Sequence, residues 1–416
     1  MVVLLCGLVL TIRLARDPVV VLISVDGLAF AEMLNSTDFM PYLNKIRAGG
    51  VTAKLLPAFP SKSWPNHYTI ITGEYPEHHG IVENKFYDPE SGQMFWSEDD
   101  AKRVDPYWYK GMPFWKMVID KQMKSACVQF PTCDVPHEGV LPTYLKSWDP
   151  SYPNYQRVQD IVSYVDLSSD KQPAFIAGCM SDVDDMEHVF GPYNVHVVQS
   201  LREVDNQLGT LYEALQSRSA RYDIDLIIVS DHGFSKLVGR VFLDDYVNVT
   251  QFLIPELDAG ATPQLSFWTQ SPDMIPALMQ SLQTVPNATA YLKADMPPRW
   301  HYNESDRIAP VHLIANEGFL ITTRSYFLEH PNVFVGGGHG WDPDLPSMAG
   351  IFVGNGPSFK KPTSTNWPTI HNVDILNIMA TILDIATPPN DGYSPYPPGL
   401  LVDRYDSLLS TPSPSS

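Results

Sequence analysis

The sequence predicts an α/β fold: a central, mostly parallel sheet flanked by helices, with an inserted cap region. Three runs carry the prediction, Pro18–Val25, Pro173–Met180 and Asp225–Ser230. Each is continuously apolar or β-branched, the pattern of a strand buried on both faces, as parallel strands are. Each runs directly into a segment bearing Asp or His: Asp26-Gly27, Asp182 to His188, and Asp231-His232-Gly233. Ligands of open α/β sheets bind beyond the carboxyl ends of strands, so these residues stand where a site belongs.

At 416 residues with 44% apolar content, the chain can bury a large core. Its formal charge of −19, without a basic cluster, excludes a binder of nucleic-acid duplexes. Residues 1–17 form an apolar segment, too short to span a bilayer comfortably. It reads as a signal-peptide core, although a basic leader and a clean cleavage site are missing. Asn35, Asn248, Asn287 and Asn303 each begin a glycosylation sequon. With the apolar start they favour an extracellular protein, secreted or at the cell surface. Residues 18–400 are expected to form one folded unit. Residues 401–416, rich in Ser and Pro from Ser407, are expected to be a disordered tail. Cys127 and Cys133 flank a Pro-containing loop and could pair, whereas Cys179 reads as a buried free thiol. No cysteine spacing fits a zinc finger.

After the first strand, Phe39 to Ile46 reads as a helix ended by Gly49-Gly50. Next comes the stretch around which the chain is organised, Ala58 to His67. Pro65 disfavours helix at Trp64, so a helix is expected to begin after Pro65. A serine just before a helix start presents its hydroxyl beside free N–H groups, a seat for an anion such as phosphate. It is equally an ordinary helix cap. Residues 88 to 114 read as loop, Trp115 to Gln122 as helix and Ala126 to Phe130 as strand. Residues 131 to 156, full of prolines and aromatics, read as an irregular flap. Val195 to Gln216 is an amphipathic helix, and 240 to 330 reads as an insertion. Gly336 to Asp342 is a glycine-rich loop, Met348 to Gly354 a last strand and Val373 to Leu383 a closing helix.

Asp26, Asp184, His188, Asp231, His232 and the glycine-flanked His339 give six candidate ligands. Mixed carboxylate and imidazole sets suit zinc better than magnesium or calcium. Six ligands suffice for two metals with positions left for substrate, the arrangement that clamps a transferring phosphoryl group. Singly, each aspartate could be a helix cap and His339 a loop residue. Their joint recurrence at strand ends points to a site.

The whole set resembles the nucleotide pyrophosphatase/phosphodiesterase family of the alkaline phosphatase superfamily. The resemblance runs from about Val19 to about Pro398. It is carried by Ile23 to Gly27, Phe59 to Gly80, Asn84 with Phe86-Tyr87-Asp88, Asp184 to Pro192, Ser230 to Gly233 and His339 to Asp342. It implies an alkaline-phosphatase-like fold and a phosphodiesterase catalytic domain of the short type. Ser63 takes the nucleophile position, where most members carry threonine. One zinc is implied at Asp184, His188 and His339, and a second at Asp26, Asp231 and His232. Asn84 and the Trp64 backbone N–H are implied to hold a phosphoryl oxygen. Trp64 and Tyr144 match an aromatic clamp for a nucleotide base, or alternatively pack the flap.

Val183 stands where a proline is usual and Glu187 where a glycine is usual, which leaves the local geometry open. The expected substrate is a small phosphodiester, a nucleotide first. The serine nucleophile resembles the choline-phosphodiesterase branch, so glycerophosphocholine or a lysophospholipid is the alternative. An extracellular binding module is the non-enzymatic one. Short members usually carry a C-terminal membrane anchor; this sequence ends polar, as a secreted or truncated chain would. A monomer is expected.

Overall fold

The computed structural model describes residues 18–248, 260–361 and 367–409. Its centre is a sheet of eight strands. In chain order they are β1 (Pro18–Val25), β2 (Val51–Leu56), β3 (Ser125–Val128), β4 (Tyr144–Lys146), β5 (Phe175–Met180), β6 (Asp223–Val229), β7 (Gly350–Asn355) and β8 (Thr369–His371). Across the sheet the order is β8-β2-β7-β6-β1-β5-β3-β4. β7 runs antiparallel to both its neighbours, and the other pairs are parallel.

Alternation along β1 explains the layers. Val20 and Leu22 enter one core, while Val19, Val21, Ile23 and Val25 enter the other. Helices Ser63–Thr72, Phe114–Asp120 and Asp374–Leu383 cover the first face. Helices Pro41–Ala48, Asn154–Val165 and Val195–Arg218 cover the second. Fully burying each such aliphatic side chain stabilises the fold by roughly 1.5–3 kcal/mol. The inserted region forms a cap with its own core. Its three antiparallel strands, Gln264–Phe267, Ala288–Leu292 and Val311–Ala315, pack against helix Ile275–Leu282.

The strand order positions the site. β6, β1 and β5 are adjacent and parallel, so their carboxyl ends lie side by side. Asp231-His232, Asp26 and the Asp184/His188 pair follow those three ends.

Five points of the sequence reading need correcting. β2 is a strand that the pattern Val51–Leu56 did not announce, because Lys54 breaks its apolar run. The helix after Pro60 begins at Ser63, not after Pro65. A proline in the first turn forfeits no intrahelical bond, so its ring is tolerated there. The supposed flap supplies β4, which pairs with β3, and the supposed loop 88 to 114 contains the second strand of a hairpin, Lys85–Asp88 with Gln93–Trp96. Finally, the start of the supposed tail is ordered. Leu401 is fully buried and bridges Phe359, and Arg404 donates to Ser358. Residues 410–416 and the apolar segment 1–17 lie outside the described residues.

Cys127 and Cys133 form a disulfide, and Cys179 is a buried free thiol.

Candidate active site

Asn66 shapes the loop that delivers Ser63. Its Oδ1 accepts from the Ala58 N–H at 2.7 Å, and its Nδ2 donates to the carbonyls of Pro60 and Lys62 at 2.9 and 2.8 Å. Asn372 donates to the same Oδ1 at 2.6 Å. The loop is thereby folded back on the first turn of its own helix. Lys62 is the helix cap position, and no side chain caps it. Ser63 is the first helical residue and is half-buried. Its Oγ lies 3.2 Å from His232 Nε2. The hydroxyl therefore faces the strand ends rather than capping the helix.

His67, one turn further on, donates from Nδ1 to the Ser63 carbonyl at 2.9 Å. That fixes its tautomer, so Nε2 accepts from the Ser24 hydroxyl at 2.9 Å. His67 thus braces the serine from beneath. The sequence reading gave it and Asn66 no role.

The six candidate ligands converge. His232 donates from Nδ1 to the Gly233 carbonyl, which turns Nε2 toward Asp231 Oδ2 at 3.1 Å and Asp26 Oδ1 at 3.6 Å. His339 donates from Nδ1 to the Ser61 carbonyl at 2.7 Å, which turns its Nε2 toward Asp184 Oδ1 at 3.7 Å. His188 Nε2 lies 3.5 Å from the other Asp184 oxygen, one helical turn away. Ligand atoms of Asp184, His188 and His339 lie within 4.8 Å of one another, as do those of Asp26, Asp184 and His232.

Glycine makes this approach possible. A Cβ on Gly336 would sit 1.9 Å from the His188 carbonyl oxygen. Gly340 has φ of +113° and packs against the Lys62 side chain.

Electrostatics argue that these groups await a cation. Asp26 Oδ1, Asp184 Oδ1 and Asp231 Oδ2 are buried and accept no hydrogen bond. Burial, then the neighbouring carboxylates of Asp231 and Asp184, pushes the Asp26 carboxyl well above its ordinary range. Uncompensated buried carboxylates are costly. Divalent ions held between these oxygens and the imidazole Nε2 atoms would relieve that cost, and the donor set fits such ions.

The two departures from the family pattern are accommodated away from the site. Val183 is fully buried in the core behind the helix Asp182–Phe190. Glu187 is fully buried beside Glu32, and burial pushes both carboxyls up.

Asn84 stands beside the nucleophile, its Oδ1 accepting from the Trp64 N–H at 3.0 Å. The aromatic clamp, however, is not formed by Trp64 and Tyr144. Trp64 belongs to the core on the Ser63 face, whereas Tyr144 packs on the opposite face of the sheet. Successive residues of a strand point to opposite faces, so Tyr144 on β4 cannot turn to meet Trp64. Its ring stacks on Tyr164 and its hydroxyl donates to the Lys171 carbonyl. The ring that meets Trp64 is Trp148, edge-on at 6.1 Å and half-buried. Trp64 itself is 5% exposed and donates from its indole to the Tyr109 hydroxyl, so it offers an edge and a backbone N–H rather than an open face.

A hydroxyl at a helix head, facing clustered carboxylates and imidazoles beyond parallel strand ends, defines a metal-dependent hydrolase-type site on an α/β scaffold. The chain belongs to the type I phosphodiesterase / nucleotide pyrophosphatase family, whose model matches residues 20–342. It is 30% identical over 420 residues to ectonucleotide pyrophosphatase/phosphodiesterase family member 3 of Mus musculus, covering 96% of this chain and 47% of that protein. It is 32% identical over 383 residues to venom phosphodiesterase of Naja atra, covering 89% of this chain and 45% of that protein. The chain thus spans slightly less than half the length of these relatives. Among solved structures, murine ectonucleotide pyrophosphatase/phosphodiesterase 5 superposes with a TM-score of 0.81 at 26% identity, covering 90% of this chain and 97% of that one. An inactive variant of the same protein, in complex with AMP, gives 0.84 at 26% identity, with 93% and 100% covered.

Proposed function

We propose that this chain is an extracellular two-zinc phosphodiesterase that hydrolyses phosphodiester or pyrophosphate bonds of nucleotides through a covalent Ser63 intermediate. The observation that carries the reading is the Ser63 hydroxyl, held 3.2 Å from His232 Nε2 among buried carboxylate oxygens without partners. Asp184, His188 and His339 would hold one zinc, and Asp26, Asp231 and His232 the other. Bound zinc supplies charge neutralisation and eases ionisation of the hydroxyl and of water. Ser63 Oγ attacks phosphorus and loses its proton, and the bond to the leaving oxygen breaks. A nucleotidyl–Ser63 diester results. Water then attacks the same phosphorus, the bond to Oγ breaks, and Oγ regains a proton as the mononucleotide departs. Asn84 and the Trp64 N–H, hydrogen-bonded to each other at 3.0 Å, would turn to a non-bridging oxygen once substrate is bound.

The AMP complex of the murine relative supports a nucleotide substrate. So does local charge. Arg103 lies over Trp64 at 5.9 Å and Arg157 over Trp148 at 5.8 Å. Arg103 is ion-paired with Asp100 and Asp134, so it is the Arg157 guanidinium, donating to the Tyr152 and Cys179 carbonyls, that would disfavour a choline ammonium against a neutral base. The sequons support an extracellular setting, since Asn35, Asn248, Asn287 and Asn303 are all exposed. Among the described residues no helix is long and apolar enough to cross a membrane. The test is a substrate panel on purified, zinc-supplemented protein: ATP and dinucleotides against glycerophosphocholine. The reading predicts higher catalytic efficiency on a nucleotide, and the reverse order would replace it with the choline alternative.

A further inference from the structure

We infer that Gln129 is a positioning residue: it fixes Trp148 and thereby sets nucleotide affinity, without taking part in phosphoryl transfer. The inference rests on the nucleotide reading above, with the base at Trp148, and adds the residue that aims that ring.

Trp148 lies beyond the reach of the sheet. β4 ends at Lys146, so the strand ladder stops two residues short of it. Ser147, Asp149 and Pro150 around it are exposed. A ring on such a loop samples several orientations unless something holds it. Ordering it at the moment of binding would then weaken the affinity for a stacked base.

Gln129 supplies the hold. It directly follows β3, is 2% exposed, and donates from its own N–H to the Lys146 carbonyl at 2.9 Å. Its side-chain amide then takes both peptide groups that flank Trp148. Nε2 donates to the Ser147 carbonyl at 2.6 Å, and Oε1 accepts from the Asp149 N–H at 2.6 Å. The Trp148 N–H itself donates to Asp134 Oδ2 at 3.3 Å. Rotating the Trp148 backbone would strip both ends of a buried amide of their partners, which is unfavourable. The ring is thereby held between Trp64 and the Arg157 guanidinium.

The backbone points the same way. Gln129 has φ of +57° and Thr132 has +71°, both in the left-handed region that non-glycine residues seldom adopt. The Cys127–Cys133 disulfide closes the loop that contains them. This conformation delivers the Gln129 amide to the segment around Trp148. It also places the next residue, Phe130, edge-on against His67 at 5.3 Å, and His67 braces Ser63. A clamp that served only the fold would therefore disturb every substrate alike. A clamp that acts through Trp148 disturbs only a substrate that carries a base.

The test compares two diesters on the zinc-loaded protein. Both carry one negative charge and the same p-nitrophenolate leaving group. One is the p-nitrophenyl ester of thymidine 5′-monophosphate, which has a base, and the other is methyl p-nitrophenyl phosphate, which has none. Gln129→Ala should raise the KM of the nucleotide ester about fivefold with kcat within about twofold, and leave kcat/KM of the methyl ester within about twofold. Gln129→Asn should do the same. Asparagine accepts the left-handed backbone, but its amide is one methylene too short to span both peptide groups, so backbone strain is not the cause. In the Trp148→Ala background, Gln129→Ala should add less than about twofold, because the ring through which it acts is gone. Equal losses on both esters, or additive losses in the double variant, would overturn the positioning role and leave the nucleotide reading intact. So would a KM that responds to Trp148→Ala and to neither Gln129 variant. A KM indifferent to Trp148→Ala would overturn the base site at Trp148 and this inference together.

Discussion

His232 and His339 lie face to face, with ring centroids 3.7 Å apart and 11° between planes. Each gives its Nδ1 proton to a backbone carbonyl, so both Nε2 atoms face the carboxylates. Burial, then His232 itself, holds His339 well below the ordinary imidazole range. A neutral imidazole with a fixed tautomer is the form that binds a metal. The stacked pair would then join the two proposed zinc sites, one ring serving each.

Elemental analysis should accordingly find about two zinc ions per chain, as the paired site requires. His339→Ala should lower this to about one while the circular dichroism spectrum stays unchanged. Full diesterase activity in zinc-free protein would rule the site out.

Ser63→Ala should cost several orders of magnitude in turnover with both zinc ions retained, as loss of a covalent nucleophile does. Ser63→Thr should keep substantial activity. Ser61 differs: its buried hydroxyl donates to the Trp341 carbonyl at 2.9 Å. Ser61→Ala should therefore cost stability, about 1–2 kcal/mol in denaturant titration, and only mildly affect turnover. If the two variants exchanged phenotypes, the nucleophile would have been misassigned.

Trp148→Ala should raise the KM of a nucleotide diester about tenfold with little change in kcat, the mark of lost uniform binding from a stacked base. Tyr144→Ala should leave kinetics alone and lower the melting temperature, since Tyr144 stacks on Tyr164 on the face of the sheet away from Ser63. Kinetics that respond to Tyr144 and ignore Trp148 would show that the base does not lie at Trp148.

His78 should make stability fall at alkaline pH. Its hydrogen bond to Asp391, 2.7 Å, raises its pKa to about 9, against an ordinary value near 6.5. A raised histidine pKa contributes stability that is complete below about 6.5 and is lost as pH rises through about 9. Thermal melts of the wild type should therefore drop between pH 6.5 and 9 more steeply than those of His78→Asn. Parallel curves would mean that the His78–Asp391 pair carries no net stabilisation.

Legibility in the sequence followed burial and position. β1, β5 and β6 could be read because a strand buried on both faces leaves an uninterrupted apolar run. Their ligands could be read because they directly follow those runs. β2, with Lys54 in its middle, and β4, three residues in a proline-rich stretch, leave no such pattern. Trp148 was hidden for a related reason. Several aromatics crowd residues 144 to 152, and which of them faces Trp64 depends on the register of a short edge strand. Asn66 and His67 act on the backbone around Ser63, and nothing in their spacing marks that.

The stereochemical course at phosphorus tests the central claim most directly. A nucleoside phosphorothioate diester, chiral at phosphorus, is hydrolysed by the zinc-loaded enzyme in ¹⁸O-labelled water, and the configuration of the product is determined. Attack by Ser63 followed by attack of water makes two in-line displacements at one phosphorus. The account predicts net retention, with Ser63→Ala inactive. Net inversion would mean that water attacks the substrate directly, and the covalent Ser63 intermediate would be wrong.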